Sequence, residues 1–199
     1  MSSFLRFAGA AALVLSLGLA ARAAPSIFAV ADITALPHTD AVCAALNEMI
    51  VDAQIVAKLQ ACLNVKTLVE LKVAMGACVA VLKACAEAIA QIGAGVHVGV
   101  AAQADIVACV AAIITLCVKV CLQLTLKFGV AAVATVCAEL DVCIKTLLVN
   151  LNICIDGFVA LVVKALVSVT VGLLGEVNLV LCAGLMATAG AAVGVTVAA

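Results

Sequence analysis

The stretch CVAAIITLCVKVC, residues 109–121, decides how the fold of this chain is predicted. Three cysteines and one lysine lie in a run that is otherwise almost wholly apolar. Such a run fits a membrane-spanning helix, part of a metal site, or a helix that is cross-linked to its neighbour. The composition of the whole chain and the spacing of its other cysteines distinguish these three interpretations.

The 199-residue chain is unusually apolar. Hydrophobic residues make up 68% of it and charged residues 11%, whereas soluble domains typically have about 45–50% and about 25%. Trp and Tyr are absent. A chain of this length has room for one domain with a hydrophobic core. The surplus of apolar residues predicts that part of the hydrophobic surface stays exposed.

Residues 1–23 have the pattern of a secretory signal peptide. Arg6 precedes an apolar segment at 7–20, and Ala21–Ala23 matches an A-x-A cleavage pattern. We expect a secreted protein that begins at Ala24, with an uncleaved N-terminal anchor as the alternative. Cleavage removes both arginines and leaves eight lysines against eleven acidic residues. The mature chain is therefore slightly acidic and has no cluster of basic residues that would bind nucleic acid or anionic lipid.

The rest of the chain divides into three predicted parts. A short lead-in occupies 24–40, and a cysteine-bearing helical domain occupies 41–156. A very hydrophobic C-terminal region follows at 157–199. The helical domain is predicted to form two antiparallel hairpins, 41–92 and 101–150, with a glycine-rich joint between them. The predicted fold is therefore all-α, with about four to six helices.

Capping residues mark the ends of these helices. Thr39 or Asp40 can cap a first amphipathic helix over 41–63, and Thr67 forms a capping box with Glu70 at the start of the second helix. Glycines are predicted to end the second and third helices, namely Gly93 and Gly129.

The C-terminal region changes character. Its only charged residues are Lys164 and Glu176. Two apolar stretches, 157–175 and 177–197, have about the length of a membrane span. We predict helices there. Short alternations of β-branched residues at 167–171 and 193–197 leave strands as the alternative.

Eleven cysteines in a secreted chain predict disulfide bonds with one thiol left over. In an antiparallel hairpin, facing residues lie at similar distances from the turn, and a small mismatch displaces them by only a few ångström. A turn at 64–66 pairs Cys43 with Cys85. A turn at Gly129 gives three further pairs, the last of them poorly matched: Cys121–Cys137, Cys117–Cys143 and Cys109–Cys154.

Three cysteines are left without a partner by this rule. Cys182 is the candidate for the odd thiol or for an intermolecular bridge. Cys62 and Cys78 are too far out of step to pair within their own hairpin. A 59-residue offset nevertheless relates Cys62 to Cys121 and Cys78 to Cys137, which is a weak sign of duplication.

No motif indicates a metal site, a cofactor or catalysis. The chain has no C-x-x-C, G-x-S-x-G or H-E-x-x-H motif. His38 and His97 both lie in predicted loops. Glu139 and Asp141 would diverge on a helix, so we interpret them as solvated surface groups. We therefore expect no enzyme.

Three classes of function remain. A multi-pass membrane protein fits the apolar stretches. Lys119 and Lys164 would then lie inside spans, and inserting each lysine into the membrane would cost about 2.5–3.5 kcal/mol. A helical lipid-binding protein fits if the helices enclose an apolar cavity. A secreted structural, surface-active protein fits the surplus of apolar surface best. Its partners would be further copies of itself, components of a cell wall or interface, or lipid, and not nucleic acid.

The layout of the chain also resembles a known family. A signal peptide, a more polar cysteine-bearing first half and a strongly hydrophobic second half are similar to those of the secreted hydrophobic wall proteins of mushroom-forming fungi. This resemblance implies an extracellular or cell-wall location and a role in hyphal attachment and aerial growth. True hydrophobins have adjacent Cys-Cys pairs, whereas this chain has none, so their film-forming mechanism does not carry over.

Overall fold

The computed structural model describes residues 33–166 and 168–192, and this part of the chain is all-helical, as predicted. The predicted signal peptide and the alternation at 193–197 lie outside it. The described residues form eight α-helices rather than four to six, and no strand. The helices are Ala41–Asn47 (α1), Ile55–Ala61 (α2), Leu68–Ile92 (α3), Val100–Phe128 (α4), Val130–Cys154 (α5), Phe158–Ala165 (α6), Ser168–Glu176 (α7) and Val180–Ala192 (α8).

The single helix predicted over 41–63 is wrong. A π-helical turn at Glu48–Asp52 follows α1, and Gln54 then adopts a left-handed conformation with φ of 53° before α2 begins. The reason lies in the spacing of the apolar residues. Ile50 and Ile55 are both buried, but five residues apart in one α-helix they would point about 140° away from each other. The break lets both side chains reach the same core.

The predicted caps are confirmed with one difference. The Asp40 carboxylate accepts a hydrogen bond from the Cys43 amide at 3.0 Å, and the Thr67 hydroxyl accepts one from the Glu70 amide at 3.2 Å. The Glu70 carboxylate reaches back to the amide of Lys66 at 2.7 Å, one residue before the capping threonine. This bond is the main reason why the pKa of Glu70 lies below its ordinary value.

The most extensive packing joins α3 to α5, and therefore connects the two predicted hairpins. The Asn150 side chain donates to the Ala86 carbonyl at 2.8 Å, and the Cys154 thiol lies 3.8 Å from the Ile89 carbonyl. Because residue numbers rise together along this contact, α3 and α5 run parallel. The buried residues of both hairpins form one hydrophobic core.

The helix α4, which contains the stretch 109–121, lies at the centre of this core. In its most apolar part, 72% of residues are buried. The predicted polar edge is confirmed as a narrow line, with Lys119 half-buried and Gln123 and Lys127 exposed. The Lys127 ammonium donates to the Leu63 carbonyl at 3.1 Å, which fixes the turn between α2 and α3 to the end of α4.

The described C-terminal residues pack into the domain. Phe158 and Met186 are fully buried, and α8 packs against α5 and α6. The stretch 157–175 is not one straight helix, because α6 and α7 meet at 103°. Residues 168–171 are helical, so the strand alternative is wrong for them.

Gly129 offers a test of how α4 and α5 are joined. It ends one helix and begins the next with φ of 88° and ψ of 152°, a region that is nearly restricted to glycine. We expect Gly129→Ala to lower the free energy of unfolding by about 1–3 kcal/mol, as measured by denaturant titration.

Gly99→Ala is the matched control. Gly99 precedes α4 with φ of −62°, and a Cβ at either glycine meets no atom within 4 Å. We expect a change within about 1 kcal/mol for this variant. Equal losses in the two variants would contradict a conformational role for Gly129.

Candidate functional site

One side of α3 is apolar and uncovered by the rest of the described chain. Val69 and Val73 are 74% and 72% exposed, which is unusual for side chains of this size in a long helix. Exposed residues continue from them at intervals of three or four, so they share one side of the helix. We call this stripe the α3 face; it comprises Val69, Val73, Ala77, Ala80 and Ala84.

The contrast with α4 shows what is unusual about α3. Both helices are long and apolar enough to cross a membrane, with mean hydropathies of 1.8 for α3 and 2.4 for α4 over their most apolar parts. Only 33% of this part of α3 is buried, against 72% for α4. The apolar residues of α4 therefore build the core, whereas many of those of α3 face outwards.

An open groove continues the α3 face towards the first helices. It has a volume of about 320 Å³, near the lower end for ligand pockets. Ala80, Ala84 and Ala88 of α3 form one wall, and Met49 lies in the other. Glu48 is the charged residue of its lining. The groove offers a shallow apolar surface rather than an enclosed cavity.

Charged residues border the α3 face on one side. Lys72, Lys83 and Glu87 are exposed there. The Lys83 ammonium and the Glu87 carboxylate are 3.9 Å apart, with about two-thirds of each side chain exposed, so their attraction contributes little to stability. The helix is therefore amphipathic in the unusual sense that an apolar stripe and a charged edge both face outwards.

A second apolar strip lies on α5. Val142, Val149 and Ile153 are exposed there, and the Thr146 hydroxyl between them donates to the Val142 carbonyl at 2.7 Å. Thr188 in α8 makes the same kind of bond within its own helix. Because these hydroxyls are already bonded, the outer surfaces of both helices are less polar than their sequences suggest.

All eleven cysteines are buried and carry free thiols. No two sulfur atoms of the described residues lie at bonding distance, so the predicted disulfides stay predictions. The structure places Cys121 and Cys137 near each other, since each thiol affects the pKa of the other. Cys43 and Cys85 each lie near Cys109 in a second group.

Other predicted partners have different neighbours. Cys117 lies near Cys62 and Cys137, whereas Cys143 lies near Lys83 and Glu139. Cys109 belongs to the group with Cys43 and Cys85, whereas the Cys154 thiol faces carbonyls at the end of α3.

The expectation that Cys62 and Cys78 cannot meet is wrong. Their Sγ atoms are 3.8 Å apart. Cys62 directly follows α2 at the edge of the turn, whereas Cys78 lies well inside α3, so their contact does not follow the register of a straight antiparallel hairpin.

Asp141 is buried, which contradicts its interpretation as a surface group. Only 2% of it is exposed, and its carboxylate accepts hydrogen bonds from the amides of Leu181 at 2.6 Å and Cys182 at 2.9 Å. Asp141 of α5 thus caps the start of α8. The sequence held one signal for this contact: α8 begins after Leu179, which cannot cap a helix with its side chain.

The remaining sites are simple to place. His38 lies in the lead-in, as predicted, and its Nε2 is 2.9 Å from the Asp105 carboxylate. His97 lies in the irregular joint between α3 and α4. Within residues 33–166 and 168–192, no three side chains of His, Cys, Asp or Glu are arranged to hold a metal ion.

Comparisons with protein-family models, with curated proteins and with solved structures find no match for this chain.

The Asp141 cap can be tested by removing its charge. We expect Asp141→Asn to lower the free energy of unfolding by about 1–3 kcal/mol, because a buried acceptor of two amides is weakened and the new amide group has no partner. Glu139→Gln is the control, since it removes the same charge at an exposed position on the same helix. If both variants lose equal stability, Asp141 does not act as the cap.

The buried thiols predict a loss of stability at alkaline pH. Burial, followed by the neighbouring Cys62 and Cys137, raises the pKa of Cys117 from 9.0 to about 12. The folded state therefore favours the neutral thiol, so this stabilisation is complete below about pH 9 and is lost as the pH rises to about 12. In the reduced protein, Cys117 should lower the free energy of unfolding by about 1.4 kcal/mol per pH unit in that range.

Denaturant titrations of the reduced protein between about pH 8 and about pH 11 measure this slope. In Cys117→Ala, the free energy of unfolding should decrease less steeply with pH, by about 1.4 kcal/mol per pH unit. This change in slope is expected whatever the effect of the substitution on stability at neutral pH. An unchanged slope would show that Cys117 titrates alike in the folded and unfolded chains.

Proposed function

We propose that this chain is a secreted structural protein that acts without catalysis as a surface-active component of a cell wall or other hydrophobic interface. The observation that carries the proposal is the α3 face, a continuous apolar stripe on a helix only a third of whose most apolar part is buried. Exposed apolar surface of this kind favours association with other apolar surfaces.

The α3 face by itself gives a modest affinity. Val69 and Val73 are about three-quarters exposed, and burying both would contribute about 2 kcal/mol. A stable layer therefore needs many molecules side by side, and the exposed strip on α5 supplies a second apolar surface for such contacts. Self-association and adsorption to an interface are then parts of the same process.

The proposal includes cross-links between the helices. Gly129 joins α4 to α5, and Cys121 of α4 lies near Cys137 of α5, which supports a disulfide at that position. Such bonds would hold the core together while the α3 face contacts an interface, where apolar surfaces compete for buried side chains. Their formation fits secretion, which is the prediction from residues 1–23.

The resemblance to fungal wall proteins supports the same role. It implies an extracellular location and attachment between a cell and a surface. N-terminal sequencing of secreted material tests the location, with Ala24 as the expected first residue. A chain that keeps residues 1–23 would favour an anchored protein instead.

An integral membrane protein is the main competing class, since α3 and α4 have suitable length and apolarity. Both classes contain such helices, so this property does not separate them. Washing membranes with alkaline carbonate does separate them, because it releases a peripheral or secreted protein and leaves a spanning one in the pellet. A helical lipid carrier, for which the groove beside α3 would be the site, predicts a co-purifying acyl ligand in the mass spectrum.

The surface function predicts that charge on the α3 face reduces adsorption. We expect the double variant Val69→Glu/Val73→Glu to adsorb at an air–water interface several-fold more slowly than the unmodified chain, because two of its largest apolar contacts become charged. Surface pressure measured against time at equal protein concentration gives the rate. Circular dichroism should show an unchanged helix content.

The control is Val100→Glu/Val130→Glu. It introduces the same charge at two exposed valines that lie outside the α3 face, at the starts of α4 and α5. This variant should adsorb nearly as fast as the unmodified chain. Equal losses in both double variants would mean that net charge, rather than the α3 face, controls adsorption.

A further inference from the structure

Cys62 and Cys78 form a buried thiol pair between α2 and α3. Neither side chain is exposed, and their Sγ atoms are 3.8 Å apart. Cys62 is the residue that directly follows α2, and Cys78 lies within α3. The pair therefore spans the turn that contains the capping box and that Lys127 contacts from α4.

The sequence repeats this arrangement once. Cys62 and Cys78 are 16 residues apart, as are Cys121 and Cys137, and no other two cysteines have this separation. Cys62 and Cys78 are in direct contact, and Cys121 and Cys137 lie near enough to affect each other's pKa. The 59-residue offset noted in the sequence thus relates two pairs of neighbouring thiols.

We propose that Cys62 and Cys78 form a disulfide bond that closes the turn between α2 and α3, in the same way as the predicted Cys121–Cys137 bond closes the turn between α4 and α5. This inference rests on the secretion included in the proposed function, because an oxidising compartment supplies the reaction partner.

The reaction is a thiol–disulfide exchange with a small disulfide such as oxidised glutathione. The thiolate of one of the two cysteines attacks one glutathione sulfur, which forms a mixed disulfide and releases the first glutathione thiolate. The other cysteine loses its proton to solvent and attacks the protein sulfur of the mixed disulfide, which forms the protein disulfide and releases the second glutathione. Two protein thiols are oxidised and one glutathione disulfide is reduced.

Both sulfurs are inaccessible in the folded domain, so the exchange takes place before α2 packs onto α3. Either thiol can be the first nucleophile, because the contact between the two sulfurs does not exist at that stage. The bond then preserves the folded arrangement of the turn.

Peptide mapping tests the bond directly. The full chain is refolded with reduced and oxidised glutathione, and remaining thiols are blocked with N-ethylmaleimide in denaturant. A lysine-specific protease separates the two cysteines, since 59–66 contains only Cys62 and 73–83 contains only Cys78. We expect these two peptides to be joined until a reductant is added. A blocked Cys62, or a link from it to any other peptide, would overturn the proposal.

Thermal unfolding provides the second measurement. Closing a loop of about 16 residues should raise the melting temperature of the oxidised protein by roughly 6–12 °C. The difference between oxidised and reduced melting temperatures should fall by that amount in Cys62→Ala and in Cys78→Ala. It should stay unchanged in Cys182→Ala, which removes the buried thiol predicted to be left over, whose sulfur lies 3.5 Å from the Asp141 carbonyl. An equal difference in all three variants would contradict the proposal.

The outcome is separable from that of the surface function. If Cys62 proves to be unlinked while the glutamates on the α3 face still slow adsorption, only the disulfide proposal fails. If the linked peptides are found but adsorption is unaffected by those glutamates, the surface function fails and the disulfide stands.

Discussion

The burial of α4 is the constraint on which the rest of the structure depends. This helix has the higher mean hydropathy of the two long candidate spans, and most of its apolar part is covered by other helices. Covering it requires α5 to fold back at Gly129 and α6 and α7 to pack against it. The first two C-terminal helices, α6 and α7, therefore help to enclose α4, and α8 packs in turn on α5, α6 and α7, because burying apolar area is the largest favourable contribution to folding.

The parallel packing of α3 and α5 has a consequence for the surface. It covers one side of α3, with contacts such as the bond from Asn150 to the Ala86 carbonyl, and α1 and α2 pack against α3 as well. The side that these helices leave uncovered carries the two most exposed valines of α3. A rigid core with one long apolar stripe outside it is the physical basis of the proposed surface activity, since the stripe remains available without any unfolding.

The sequence predicted local features well and long-range contacts only in part. Asp40, Thr67 and Gly93 were correctly assigned to helix ends, because a cap depends on neighbours within a few residues. The register rule brought Cys121 and Cys137 together across a one-residue turn, but it failed for Cys62 and Cys78. There Cys62 lies at the edge of the turn and Cys78 lies well inside α3, so the two cysteines touch without lying at similar distances from the turn.

The sequence by itself determined the helical class, the ends of α3 and α4 and the surplus of apolar surface, because composition and short-range capping are properties of the chain alone. Tertiary structure decided which apolar helix became the core and which stayed exposed. It also turned Asp141 from an expected surface residue into the buried cap of α8. Both outcomes depend on which helices pack together, and similar apolar helices do not specify their partners through local sequence.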